Sequence, residues 1–153
     1  MALDLPPSAF VALSALSWAD GDVRPTEHTG LLSAAKAAGL SGSALDEVEA
    51  ALAEKVELSE FDPAGMSAWQ RALTYALACW LARLDGVQST DESELLRELA
   101  RKLELTDPVA TRASIAAFDI YCLPEGGRPE RFDFVALAKR LHEKLPSIEA
   151  PQG

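Results

Sequence analysis

The stretch Leu73-Thr-Tyr-Ala-Leu-Ala-Cys-Trp-Leu-Ala82, flanked by Arg71 and Arg83, decides how this chain folds. Its apolar residues cover nearly the whole circumference of a helix, which marks a segment buried on every side. It is too short to cross a bilayer, which takes about 20 apolar residues. The expectation is therefore a central helix wrapped by other helices. Outward from it, Ala and Leu remain abundant and β-branched residues are scattered singly. No stretch alternates apolar with polar residues as a half-buried strand would. The chain reads as all-α.

The spacing predicts about seven helices. The first runs from about Pro7 to Ala19, with Phe10, Leu13 and Leu16 on one stripe, and ends at Asp20-Gly21. The second opens at Pro25, a favoured first-turn residue, turns Leu31, Leu32, Ala35 and Ala38 inward, and stops at Gly39. The third follows Ser41-Gly42-Ser43, with Leu45, Val48, Leu52 and Val56 on one face. Glu57 to Gly65 is the longest interior connection. The central helix spans about Ser67 to Leu84. The fifth starts after Ser89 and carries Leu95, Leu96, Leu99 and Leu103. The sixth begins at Thr106-Asp107-Pro108, where Thr or Asp caps and Pro takes the first turn. A turn-rich loop, Pro124 to Pro129, precedes the seventh, about Phe132 to Lys144. The tail from Pro146 to Gly153 carries too little apolar content to order itself.

Composition fits one acidic globular domain. The chain has 153 residues, 48% of them hydrophobic, and a net charge of −10. Such a charge repels nucleic-acid phosphate and anionic lipid, so neither is a default partner, and cations or basic protein surfaces are better ones. The N-terminus lacks a basic leader segment, and cytoplasm is the default address. Cys79 and Cys122 lie far apart in apolar stretches and are expected to be two buried thiols, with a disulfide left open by the sequence.

A shift of 65 positions aligns two halves of the chain without a gap. Phe10 falls on Tyr75, Leu16 on Leu81, Asp20-Gly21 on Asp85-Gly86, Glu27 on Glu92, Leu31 on Leu96, Ala35 on Ala100, and Leu40-Ser41 on Leu105-Thr106. Each unit, about 8–60 and 67–122, is a helix, an Asp-Gly turn, a helix, a break and a helix. Neither unit encloses its own apolar faces, so the two are expected to pack pseudo-twofold as one bundle with the terminal helix, a single domain over residues 1–145 with 146–153 as a flexible tail.

The two turns read Ala19-Asp-Gly-Asp-Val-Arg-Pro-Thr-Glu27 and Leu84-Asp-Gly-Val-Gln-Ser-Thr-Asp-Glu92. A helix ending in Ala-Asp-Gly-x-Val, with Glu four residues after that Val and then a Leu-rich helix, resembles the tellurite-resistance protein B (TerB)-like family. The likeness spans about Phe10 to Tyr121. Gln88 stands in the second copy where the first has Val23. The resemblance implies an all-helical fold whose acidic residues form a divalent-cation site, in proteins associated with tellurite and other chemical stress, often at membrane-linked assemblies. Carried over by position, those residues are Asp20, Asp22 and Glu27 in the first turn, and Asp85, Asp91 and Glu92 in the second.

The same residues have a purely structural use. Glu27 and Glu92 fall at about the third helical position, where a carboxylate bonds the N-cap backbone N–H and favours the helix dipole. Ser89-Thr-Asp-Glu92 is a good capping box, whereas Arg24 is a poor N-cap. The cation use rests on hard oxygen ligands, which suit Ca²⁺ or Mg²⁺. Gly followed six residues later by Glu matches the later half of an EF-hand loop, but Leu16 and Trp18, or Leu81 and Arg83, occupy the early ligand positions. One turn alone offers too few ligands. Both turns brought together would make one site, whose mutual repulsion a cation relieves.

Other chemistry is thin. His28 and His142 have no zinc-like spacing to cysteine, no Glu-x-x-His pair exists, and there is neither a phosphate loop nor a nucleophile elbow. Trp18, Trp69 and Trp80 sit at core positions, and the arginines and lysines from Arg128 to Lys144 form a solvated basic end. The expectation is a non-catalytic module that holds a cation weakly or meets an unidentified protein partner. The alternative is a structural interaction domain without metal. Oligomeric state is left open.

Overall fold

The computed structural model describes residues 5–18, 25–84, 90–124 and 132–148. Within them the chain forms seven α-helices: α1 (Pro7–Ser17), α2 (Pro25–Ala37), α3 (Ser43–Ala53), α4 (Ala68–Arg83), α5 (Thr90–Lys102), α6 (Asp107–Tyr121) and α7 (Phe134–Lys144). One 3-10 turn, Leu58–Glu60, interrupts the connection between α3 and α4. The described residues contain no strand.

Side chains set several of the helix starts. Ser67 accepts from the Gln70 N–H at 3.1 Å while the Gln70 side chain accepts from the Ser67 N–H at 3.0 Å, a complete capping box at α4. Thr106 caps α6 through the Val109 N–H, and Asp133 caps α7 through the Ala136 N–H at 2.9 Å. The 3-10 turn has its own reciprocal cap, in which Glu60 accepts from the Glu57 N–H at 2.7 Å.

Some element bounds share the 65-residue offset. α2 and α5 are offset by 65 at both ends, Pro25 against Thr90 and Ala37 against Lys102. They also end alike. Gly39 N–H reaches Lys36 C=O at 2.9 Å and Leu40 N–H reaches Ala35 C=O at 3.1 Å. In the second unit Glu104 N–H reaches Arg101 C=O and Leu105 N–H reaches Ala100 C=O, each at 3.0 Å. Both are Schellman closures, which need a left-handed residue just past the helix. Gly39 supplies it at φ 82°, Glu104 at φ 58°. The buried faces of α3 and α6 keep the same offset, with Val48, Ala51 and Leu52 answered by Ala113, Ala116 and Ala117.

α4 is the central helix that its sequence predicts. It packs against α1, α2, α5, α6 and α7. Leu73, Leu77 and Trp80 along it are fully enclosed. A single apolar cluster joins both units with α7, as expected if neither unit closes its own core. Trp80 stacks on Phe132 with ring centroids 4.1 Å apart and meets Phe134 edge-on at 5.3 Å, which seats α7 on α4. Arg71 ties the inter-unit connection down, donating to the carbonyls of Met66, Pro63 and Leu103, and Lys102 donates to Leu58 C=O at 2.8 Å.

Several expectations are corrected. α1 stops at Ser17 rather than Ala19, with Trp18 as its cap. α3 stops at Ala53, so Val56 packs on the core from the irregular connection and not from the helix face. α7 begins at Phe134 because Asp133 caps it, leaving Phe132 outside the helix. Cys122 is exposed and not buried: it is the residue that closes α6, where the chain leaves the core. Of the tail, residues 146–148 are described. The Leu145 and Ile148 N–H groups bond the Leu141 and Leu145 carbonyls, and Ile148 packs partly buried against the core.

Candidate functional site

The two acidic turns lie between α1 and α2 and between α4 and α5. Asp20, Asp22 and Asp85 lie outside the described residues. Asp91 and Glu92 belong to the first turn of α5, and their side chains lie outside the description. Of the six acidic residues singled out from sequence, Glu27 alone is described in full. It is the third residue of α2 and is only 4% exposed. A carboxylate in the first turn of a helix lies at the positive end of its dipole. His28, beside it, is exposed, as a solvated histidine would be.

Gly30 of α2 packs close to the end of α4. A methyl group built at Gly30 of α2 would lie 3.1 Å from Leu84 Cδ1, 3.2 Å from Leu81 Cδ2 and 3.2 Å from Trp80 Cη2. Gly30 comes three residues after Glu27, and Leu84 is the residue before Asp85. The absent side chain thus lets the first half of α2 approach the last turn of α4 closely. Among the described residues, no group of three or more His, Cys, Asp or Glu is placed to hold a metal ion. The donor set proposed from sequence is oxygen-only, which suits a hard cation.

A second feature has no counterpart in the sequence reading. Tyr75, Cys79 and Arg83 of α4, Ser93, Leu96 and Arg97 of α5, and Ser114 of α6 line a cavity of about 290 Å³. Cys79 is hydrogen-bonded with the side chains of Ser114 and Tyr75. Burial pushes its thiol up to about 11, and burial likewise raises the Tyr75 hydroxyl above its usual range. Both groups therefore stay protonated at neutral pH. The Arg83 guanidinium lies over the Phe118 ring, 4.6 Å from its centroid. The repeat offered the signal that would have found this place. Positions 75, 83 and 97 correspond to Phe10, Trp18 and Leu32, so at these three the second unit carries polar groups where the first is apolar, while Cys79, Ser93 and Ser114 answer the polar Ser14, His28 and Glu49.

Comparison with protein-family models, curated proteins and solved structures finds no match to this chain.

Proposed function

We propose that this chain is a non-catalytic, TerB-like helical module whose two Asp-Gly turns act together as one weak divalent-cation site, in a cytoplasmic response to tellurite or related chemical stress. The observation that carries this reading is the contact of Gly30 with Leu84, since these residues border the two turns. The shared site would draw oxygen ligands from Asp20, Asp22 and Glu27 on one side and from Asp85, Asp91 and Glu92 on the other. Ca²⁺ or Mg²⁺ suits such ligands, and a site of this kind holds its ion in roughly the 10⁻⁴–10⁻³ M range. Binding that strengthens the end of the bundle would bias how the module meets a protein partner.

The test is calcium titration followed by calorimetry and thermal unfolding. Wild type should release or absorb heat and gain about 1.4 kcal/mol of stability at calcium tenfold above Kd. Asp20→Asn and Asp85→Asn should each lose both signals. No heat and no stabilisation of wild type at millimolar calcium or magnesium would refute the metal site.

The burial of Glu27 favours a second reading, a structural interaction domain without metal. Under it the carboxylates only secure helix starts. Glu27→Gln would then cost about 1–3 kcal/mol, the size of a lost buried charge-assisted hydrogen bond, with no change in any response to metal.

A further inference from the structure

The second unit departs from the first at one set of places that the fold does not require. In the first unit, Trp18 closes the space beside α3, its indole N–H donating to Ala51 C=O at 3.0 Å. The corresponding position in the second unit is Arg83, which lies instead across Phe118. Leu32 is likewise replaced by Arg97, and Phe10 by Tyr75 with its hydroxyl. The space between α4, α5 and α6 is consequently left open and lined by polar groups.

Its charge is also out of keeping with the chain. In a protein of net charge −10, two guanidinium groups border one cavity, and none of the described lining residues is acidic. Among the described residues, neither Arg83 nor Arg97 forms an ion pair. An arginine at the last turn of α4 is favoured by the helix dipole. That accounts for Arg83, but not for Arg97 at mid-α5 or for the opened space. Stacking on Phe118 fixes the direction of one guanidinium, which lowers the ordering cost of binding. The hydroxyls of Tyr75 and Ser114 add neutral donors, and the protonated Cys79 thiol adds no opposing charge.

We propose that the cavity between α4, α5 and α6 binds a small oxyanion, a phosphate or carboxylate group, held by Arg83 and Arg97 with Tyr75 and Ser114 as hydroxyl donors. Arg83 and Ser93 flank the second acidic turn in sequence, but the ligand is opposite in charge, and the test reads anion binding and not the response to calcium.

The test is titration of the full chain with inorganic phosphate and, separately, with acetate, read by amide NMR at ionic strength held constant with sodium chloride. At least one of the two should give saturable shifts centred on residues 79, 83, 97 and 114. Which one saturates decides between a phosphate and a carboxylate ligand. Arg83→Gln and Arg97→Leu, the latter restoring the residue of the first unit, should each weaken binding about tenfold or more, as loss of a charged donor does. Arg101→Gln on the same helix should leave it within about twofold. Should Arg83→Gln fail to fold, the exposed Arg97 still carries the test. Linear, unsaturated shifts with both anions, or saturable binding that survives Arg97→Leu, would overturn the proposal.

Discussion

Cys79 and Cys122 show how far position within a helix governs a single side chain. Cys79 sits in the middle of α4, enclosed and hydrogen-bonded, while Cys122 closes α6 at the surface. An aromatic thiol reagent at pH 8 should label one thiol in the native protein and two in denaturant, and Cys122→Ser should remove the native label. Labelling of both thiols in the folded state would contradict this burial. The raised thiol has a pH consequence. Unfolded cysteine ionises near 9.0, whereas the folded thiol keeps its proton to about 11. Between these values the folded state binds more protons, so stability falls as pH rises through the window and levels off above it. Cys79→Ala should flatten that fall in urea unfolding measured from pH 9 to 11. The apolar setting of both cysteines is legible in sequence. The exposure of Cys122 is not, because it depends on where α6 ends.

Helix ends carry the clearest record of the duplication at the scale of elements. The Leu40-Ser41 and Leu105-Thr106 match in the sequence is the visible trace of two identical Schellman closures. Their left-handed residues differ. Gly39 adopts φ 82° freely, but Glu104 at φ 58° bears the steric cost of a Cβ. Its contact with Arg71 is 3.6 Å with the glutamate 81% exposed, too open to offset much. Opposite signs follow at equivalent positions: Gly39→Ala should destabilise by about 1–2 kcal/mol, and Glu104→Gly should stabilise by up to about 1 kcal/mol, in chemical denaturation. Equal signs would show that the two closures are not equivalent. The Thr106 cap and the first-turn Pro25 are legible because they act on backbone within three or four residues. The 3-10 turn at Leu58–Glu60 and the early end of α3 are not, since the carbonyl of Leu58 is fixed by Lys102, 44 residues away.

At the scale of the whole molecule, the described residues form a seven-helix bundle with α4 at its centre and α7 packed on α6 and α4. The burial of Leu73 to Ala82, complete except at Tyr75, is legible in the all-round apolarity of the stretch, and the 65-residue offset in its spaced identities. Which helix ends adjoin is not legible in sequence, because the close packing of α2 on α4 brings Gly30 against residues at least 50 positions away. Gly30→Leu should cost about 1–3 kcal/mol by overpacking against Trp80, Leu81 and Leu84, measured by thermal unfolding, whereas helix propensity alone would make it stabilising. The same contact underlies the proposed union of the acidic turns. The stoichiometry of calcium binding tests that union most directly. Calorimetry of wild type should give one ion per chain, abolished by Asp20→Asn alone and by Asp85→Asn alone. Two ions per chain, each lost with its own turn only, or no ion at all, would contradict it.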